Sequence, residues 1–167
     1  LGIKKTGGNY EASTVLIATA GEGEEISYNK LILNEKLANI YSEIIKSPDL
    51  YKKVEKDLEK GGSSLSYKEI MARSEFEVNP QAGLITLTYN DSNKDRAGDC
   101  LKLIAENFRQ MTKDYLNADN LSYLHEVLVE KVSKKKLIIF SAVAGLAGAI
   151  LGLAIVIIKT LLSDNIA

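Results

Sequence analysis

The sequence predicts an α+β domain followed by a transmembrane helix, and three observations lead to this prediction. Residues 1–136 carry every charged side chain of the chain except Lys159 and Asp164. Within them, stretches with the period-2 pattern of strands alternate with stretches of helical period. Residues 137–158 then form an apolar run of 22 residues without a charge. A soluble domain followed by a membrane segment would explain why charged residues 1–136 are succeeded by an uncharged apolar run.

The composition limits the classes of function. A chain of 167 residues suffices for one domain and a short appendage, and its 46% of hydrophobic residues allows a packed core. The net charge of −1 argues against a nucleic-acid binder. The single cysteine, Cys100, excludes an internal disulfide and a cysteine zinc cluster. The single histidine, His125, excludes a multi-histidine metal site.

The first half of the domain predicts a strand and then helices. Residues 10–20 are rich in Thr, Val and Ile, which favour a strand. From Tyr28 to Lys46, apolar residues recur at steps of three and four, which predicts an amphipathic helix. Its expected core face comprises Leu33, Leu37, Ile40, Tyr41, Ile44 and Ile45. Pro48 ends this helix, because proline lacks an N–H donor and restrains the residue before it.

Two short helices follow, at residues 49–60 and Tyr67–Ala72, with Gly61-Gly62-Ser63-Ser64 as a flexible break between them. Residues 75–79 and 84–90 alternate in polarity around the turn of residues 80–83, which predicts a β-hairpin. The expected core residues of this hairpin are Phe76, Val78, Ile85, Leu87 and Tyr89.

The last part of the domain predicts a long helix and a strand. Residues 91–93, Asp-Ser-Asn, supply the chemistry of a helix N-cap. The expected buried seam of the helix is Ala97, Leu101, Ile104, Phe108, Met111 and Tyr115. Residues 117–120 end it, and residues 121–132 favour a strand leading to the membrane. The order is then a ferredoxin-like split β-α-β-β-α-β domain, with a largely antiparallel sheet and helices on one face.

No catalytic motif is present, so we predict neither an enzyme nor a cofactor. The chain lacks a phosphate-binding loop, a GxGxxG, an HExxH and a GxSxG motif. His125 is more readily explained as a surface residue than as a base, and Cys100 as a small packing residue than as a nucleophile. The run Glu22, Glu24 and Glu25 could hold a cation, but a solvated turn is the simpler interpretation. The Gly61–Ser64 stretch could likewise contact a ligand or act as a plain linker.

The apolar run predicts a transmembrane helix over residues 137–160. Residues 137–158 alone would span roughly 33 Å as a helix, against a hydrocarbon core of about 30 Å. Small residues form two adjacent rows along this helix: Ala144, Gly148 and Gly152 in one, and Ser141, Gly145 and Ala149 in the other. Small residues let helices approach closely, which favours self-association. The alternative is that Gly and Ala are simply common in membrane helices.

The lysines around the span leave its orientation open. Lys131 and the joint of residues 133–136, with Lys134, Lys135 and Lys136, precede the apolar run of residues 137–158, whereas only Lys159 follows that run closely. We expect these lysines to contact lipid headgroups. By the positive-inside rule they put residues 1–132 in the cytoplasm. That rule is weak for whole domains, however, and a span preceding Leu1 would decide the orientation first.

The ordered series of segments resembles the Wzz-type chain-length determinant family, also called polysaccharide co-polymerases. YEASTVLIA at Tyr10–Ala18 is similar to the family's first strand, which follows its first membrane span. Residues 29–58 resemble its first helix with an I-x-K-S-P turn, and residues 74–108 its hairpin, a D-x-x-x-x-x-A motif and its long helix. The closer likeness is to short Gram-positive membrane adaptors of capsule and exopolysaccharide systems.

The resemblance implies two membrane spans with residues 1–132 outside the cell membrane and residues 161–167 starting a cytoplasmic tail. It also implies a ring-like homo-oligomer, a polysaccharide polymerase as partner, and a tail that activates a separate cytoplasmic tyrosine kinase. The tail residues that we expect to contact the kinase are Ser163, Asp164, Asn165 and Ile166. The chain departs from the family in one place, because residues 125–136 lack the family's Pro-rich stretch before the second span.

The sequence therefore predicts a non-enzymatic membrane scaffold that regulates the chain length, polymerisation or export of a capsular or other extracellular polysaccharide. The first alternative is a tail-anchored cytoplasmic binding module, which the lysines before the span favour. The second is a membrane-bound enzyme whose site has no recognisable motif.

Overall fold

The computed structural model describes residues 10–19, 28–132 and 153–163. The contacts of the chain divide it into two units, Leu1–Lys131 and Val132–Ala167. The described residues of the first unit form four strands and four helices. In chain order these are β1 (Tyr10–Ala18), α1 (Tyr28–Lys46), α2 (Pro48–Lys60), α3 (Tyr67–Ala72), β2 (Ser74–Asn79), β3 (Leu84–Asp91), α4 (Lys94–Leu116) and β4 (Leu121–Lys131).

The strands form one sheet in the order β2-β3-β1-β4, and all neighbouring strands are antiparallel. The predicted α+β class, antiparallel sheet and order of elements are confirmed. Strand β3 lies between β1 and β2, so β1 and β2 run in the same direction and the helices α1, α2 and α3 connect them. Strands β2 and β4 form the two edges of the sheet.

Local signals define the helix ends. Helix α2 begins at Pro48, and the Ser47 side chain accepts a hydrogen bond from the backbone N–H of Asp49. The N-cap of α4 is Asn93, whose side-chain oxygen accepts a hydrogen bond of 2.9 Å from the N–H of Arg96. Helix α4 ends at Asn117, which has a left-handed backbone conformation with φ 56°. The N-cap predicted at residues 91–93 and the helix end predicted at residues 117–120 are confirmed. Polar caps and an αL residue both satisfy backbone groups that lack helical partners.

One face of the sheet is buried against the helices, and the core lies between them. Alternate strand residues are buried there: Ala12, Thr14 and Leu16 of β1, and Ile85, Leu87, Tyr89 and Asp91 of β3. The predicted core residues Phe76 and Val78 of β2 pack against this core. From α4, the core receives Ala97, Cys100, Leu101, Ile104, Ala105 and Phe108.

Two expected core residues are exposed. The Tyr115 side chain is 72% exposed, whereas Thr112 is fully buried. A strict 4-3-4-3 spacing drifts by about 20° per heptad relative to a straight helix, so the end of the predicted seam rotates away from the sheet. Leu33 is 50% exposed, and Leu37 is the first residue of α1, among those with described side chains, that packs against the core.

In the second unit, residues 153–163 are helical. Residues 137–152 of the predicted transmembrane helix, like the basic joint before them, lie outside the described residues. Among the residues that the structure describes, no helix is both long enough and apolar enough to cross a membrane.

Candidate functional site

A buried carboxylate lies where β3 meets α4. Asp91 ends β3, and its side chain has no solvent exposure. Arg96 donates two hydrogen bonds to this carboxylate, from Nε to Oδ2 at 2.9 Å and from Nη2 to Oδ1 at 2.6 Å. Arg73, the C-cap of α3, donates a third from Nη1 to Oδ2 at 3.2 Å. The carboxylate therefore ties together the ends of α3 and β3 and the start of α4.

Three further donors lie close to this carboxylate. The Tyr89 hydroxyl lies 3.4 Å from Oδ2, the backbone N–H of Asn93 donates to Oδ1 at 2.9 Å, and the Ser92 hydroxyl lies 3.5 Å from Oδ1. Burial alone would raise the pKa of Asp91, but the hydrogen bonds from Arg96 and Asn93 and the charges of both arginines hold it below its usual value. Asp91 is ionised at neutral pH with both oxygens occupied, an arrangement that supports the fold rather than proton transfer.

Cys100 lies in the same buried region. Its side chain is fully buried, and burial raises the pKa of the thiol to about 12. A thiol with this pKa is neutral at physiological pH and is a poor nucleophile. The prediction that Cys100 is a packing residue is confirmed. His125, in contrast, is exposed on the edge strand β4, as expected for a surface residue.

At the opposite end of the sheet lies a groove of about 690 Å³ between α1 and the turn that joins β2 to β3. Leu37, Ala38 and Val78 are among its apolar lining residues. Within the described residues, its polar lining comes from four separate parts of the chain. These side chains are Thr19 after β1, Asn34 of α1, Asn79 and Gln81 of the hairpin, and Asp119 of the α4–β4 connection.

Short hydrogen bonds hold the groove walls in place. The N–H of Ala18 donates to the carbonyl of Gly83 at 2.8 Å, and the N–H of Ala82 donates to Oδ1 of Asn79 at 3.0 Å. Gly83 has φ +65°, and a side chain there would approach the carbonyl oxygen of Ala18. The hairpin turn is therefore hydrogen-bonded to the end of β1, and the backbone conformation of the turn at this contact favours glycine.

Among the described residues that line the groove, Asp119 alone carries a formal charge. Its carboxylate lies 3.7 Å from Arg109 Nη2 and 3.5 Å from Lys113 Nζ. Burial raises the pKa of Tyr41, although the hydrogen bond from Asn120 Nδ2, at 3.0 Å, opposes this effect. The Tyr41 hydroxyl is thus neutral at physiological pH. Amide groups and one hydroxyl supply the remaining polar atoms of the side chains that line the groove.

The second face of the sheet carries no helix of the first unit among the described residues. Leu124 and Leu128 of β4 are 47% and 58% exposed. Glu11 of β1 and Glu130 of β4 are direct cross-strand partners, an unfavourable pair of like charges. Glutamates on both edge strands discourage the edge-to-edge pairing that exposed strands otherwise invite. The exposed ones are Glu75 and Glu77 of β2 and Glu126 and Glu130 of β4.

Of the predicted functional residues of the second unit, Ser163 alone lies within the described residues. Ser163 is exposed at the end of the helical residues 153–163, and its Oγ donates to the carbonyl of Thr160 at 3.0 Å. The other expected kinase contacts and the predicted packing residues lie outside the described residues. These are Asp164, Asn165 and Ile166, and Ser141, Ala144, Gly145, Gly148, Ala149 and Gly152. The acidic run of Glu22, Glu24 and Glu25 also lies outside them.

Within the described ranges, no group of three or more His, Cys, Asp or Glu residues could hold a metal ion. The Gly61–Ser64 stretch connects α2 with α3 near Asp57, Arg96 and Asp99. Sequence reasoning missed both the Asp91 centre and the groove. The available signal for the Asp91 centre was an aspartate at the end of a strand, followed five residues later by Arg96. The groove had no such signal, because its lining is dispersed along the chain.

The two ends of the domain lie side by side. Tyr10, the first residue of β1, is the direct partner of Lys131, the last residue of β4. The same row of the sheet contains Asp91. The segments before Tyr10 and after Lys131 therefore leave the sheet at one end, and the groove lies at the other.

Comparison with known proteins identifies two relatives. The chain is 31% identical over 153 residues to the "Probable capsular polysaccharide biosynthesis protein YwqC" of Bacillus subtilis (strain 168), covering 87% of this chain and 60% of that protein. It is 29% identical over 116 residues to the "Capsular polysaccharide biosynthesis protein CapA" of Staphylococcus aureus, covering 69% of this chain and 51% of that protein. No protein-family model matches the chain. The chain thus spans less than two thirds of either relative, and both matches support a resemblance to Gram-positive capsule-related proteins.

Proposed function

We propose that the chain acts in the biosynthesis of a capsular or other extracellular polysaccharide, as a membrane-anchored scaffold of the Wzz type. It regulates the chain length, polymerisation or export of the glycan and has no active site of its own. The observation that carries this proposal is the similarity of most of the chain to two proteins named for capsular polysaccharide biosynthesis.

The position of the chain ends supports the membrane attachment in this proposal. Because Tyr10 and Lys131 are cross-strand partners, both flanking segments start at one end of the sheet. This arrangement suits a domain inserted between two membrane spans. The second span would be residues 137–160, and the domain would lie on the extracytoplasmic side of the cell membrane. The charge of Lys131 at this end would favour contact with lipid headgroups.

The proposed mechanism depends on assembly. A ring-like homo-oligomer, associated in part through the small-residue rows around Gly148, would hold a polysaccharide polymerase or its growing product. The tail from Ser163 to Ile166 would contact and activate a separate cytoplasmic tyrosine kinase. The support for these partners is the resemblance of the sequence to the family's segments, together with the spacing of the small residues.

The first experiment determines on which side of the cell membrane the domain lies. We would place a cysteine at Ser64, which is exposed in the α2–α3 connection, and treat intact cells with a membrane-impermeant maleimide. The unmodified chain is the matched control, because Cys100 is buried with a raised thiol pKa and should not react. Labelling of Ser64→Cys in intact cells is the expected result.

Protection of Ser64→Cys until the cells are lysed would instead favour a tail-anchored cytoplasmic binding module. The lysines before the predicted span are the observation that supports this second candidate.

The role in polysaccharide production needs a separate measurement. Deletion of the gene should change the length distribution of the extracellular glycan, and expression of the chain in its native context should restore it. An unchanged distribution after deletion would refute the regulatory role.

The contact with the kinase is tested by replacing residues 163–166 together with alanine. Phosphotyrosine on the separate kinase should fall, while membrane levels of the variant stay constant. Replacement of Lys159 alone with Gln serves as the control for a general effect of altering this end of the chain.

A further inference from the structure

We propose that the groove between α1 and the β2–β3 turn binds an uncharged, polyhydroxylated stretch of a saccharide. This inference deepens the proposed function and depends on it for the source of the saccharide. The groove lies in the first unit, and the residues named here all lie within the described ranges. Its chemistry, its rigidity and its position each support the assignment.

The lining combines apolar side chains with groups that form hydrogen bonds. Leu37 and Val78 supply apolar surface, and Asn34 and Gln81 supply side-chain amides. The Thr19 hydroxyl donates to the carbonyl of Asn120 at 3.2 Å and keeps its capacity to accept. A sugar ring presents hydroxyl groups at its edge and C–H groups on its faces. The amides match the first, since each can donate and accept, and the apolar side chains match the second.

The charges disfavour an ionic ligand. The carboxylate of Asp119 lies within 3.7 Å of Arg109 and 3.5 Å of Lys113, so it is compensated locally. A strongly anionic ligand would meet this carboxylate, and a cationic one would have to compete with both basic side chains. A neutral segment incurs neither cost, because it brings no charge that must be desolvated and paired.

The walls are ordered before any ligand arrives. Asn79 is held by the Ala82 N–H, the hairpin turn is fastened to Ala18, and Tyr41 below is held by Asn120. Thr19 is similarly fixed, since its N–H donates to the carbonyl of Asn120 at 2.8 Å. A site ordered in advance loses less conformational entropy on binding, which matters for a ligand as polar as a saccharide.

The position of the groove suits a membrane-anchored scaffold. It lies at the end of the sheet opposite to the Tyr10–Lys131 pair, where the two flanking segments begin. A saccharide in the groove would therefore be held away from the end of the domain that the proposed function attaches to the membrane.

Protection of a groove cysteine tests binding directly. Gln81→Cys places a thiol on the exposed rim, and Gln110→Cys places one on the exposed surface of α4, outside the groove. The probe is extracellular polysaccharide purified from the source strain, with a polysaccharide-free mock extract alongside. At about ten times the dissociation constant, maleimide labelling of Gln81→Cys in the full chain should slow by about tenfold, and labelling of Gln110→Cys should not change.

Two results would overturn the inference. The first is equal labelling of Gln81→Cys with polysaccharide and with mock extract. The second is slow labelling that polysaccharide does not alter, which would mean that the chain itself covers the groove.

Glycan length provides the second readout. The pair Asn34→Ala and Gln81→Ala, expressed in the deletion strain, should reproduce the altered glycan length of the deletion. The matched pair Asn39→Ala and Gln110→Ala, which alters exposed amides outside the groove, should behave as wild type. Equal thermal unfolding midpoints of the two pairs would exclude misfolding as the cause.

The combined results separate the two claims. If deletion alters the glycan but the groove pair does not, and Gln81→Cys is not protected, the groove inference fails and the proposed function stands. If deletion leaves the glycan unchanged but polysaccharide still protects Gln81→Cys, the groove inference stands and the regulatory function fails.

Discussion

The carboxylate of Asp91 is surrounded by two arginines, a tyrosine hydroxyl and a backbone N–H, and its side chain is fully buried. The arginines are 28% and 40% exposed, so water screens part of their attraction for it. Removing the negative charge leaves two partly buried cations without their shared partner. The cost of that loss exceeds the usual worth of a surface ion pair.

We expect Asp91→Asn to lower the free energy of unfolding by about 2–3 kcal/mol, below the full cost of breaking a buried pair because the arginines are partly solvated. Urea unfolding of the chain measures the change. Asp99→Asn, which alters an exposed aspartate of α4, should change stability by less than about 0.5 kcal/mol. Equal losses in the two variants would contradict a stabilising role for the Asp91 centre.

The stability of the domain should also depend on pH through Asp91. The pKa of its carboxyl is lower in the folded chain than in the unfolded chain, so the unfolded chain binds the proton more tightly. Stability from this group is therefore present above the ordinary aspartate pKa of about 3.9 and is lost as pH falls toward the lowered value.

Wild type should accordingly lose more stability than Asp91→Asn when the pH is lowered below about 4, as measured by unfolding midpoints at a series of pH values. Asp57 and Glu69 also have lowered pKa values, through hydrogen bonds from Lys60 and from the Ser66 backbone respectively. Both residues are retained in the variant, so the difference between the two curves measures the contribution of Asp91 to the pH dependence of stability. Parallel curves would contradict the assignment.

At the scale of elements, the contact between α4 and β4 depends on a close approach at Gly98. A Cβ at this position would lie 3.1 Å from Cγ2 of Val129. Alanine there gains helix propensity, about 1 kcal/mol relative to glycine, but must displace the valine methyl. The two effects oppose each other. Whether Gly98→Ala raises or lowers the stability therefore depends on how easily the Val129 side chain can move.

A double-mutant cycle separates these effects. Gly98→Ala should be nearly neutral, and its effect should become more favourable by about 0.5–1 kcal/mol when Val129→Ala has removed the methyl group. Urea unfolding of the four proteins gives the coupling energy, and the single variant Val129→Ala is the internal control. Strict additivity would mean that the helix can shift to accommodate the new methyl group.

At the scale of the whole molecule, the proposed assembly depends on residues of the second unit whose role rests on the sequence. Gly148→Leu should weaken self-association in detergent, because a leucine at the centre of the small-residue row prevents close approach of helices. Analytical ultracentrifugation would measure this. Ile150→Leu, which preserves side-chain size outside both rows, is the control. An unchanged oligomer in Gly148→Leu would show that the row does not mediate assembly.

The amino-acid sequence by itself predicted the α+β class, the order of the elements and most of their ends. These features depend on local causes: hydrophobic period, capping residues such as Asn93, and Pro48 at a helix start. Even the exceptions, Leu33 and Tyr115, lie near the ends of helices, where a periodic pattern continues after contact with the core has ended.

Only the tertiary structure decided which distant residues meet. The carboxylate of Asp91 is joined to Arg73 because β3 runs back past the end of α3, and the groove is lined from four parts of the chain because β1 lies between β3 and β4. The same strand order places Tyr10 beside Lys131. Such contacts follow from the pairing of strands that are far apart in the chain, whereas periodicity and capping report only neighbours along it.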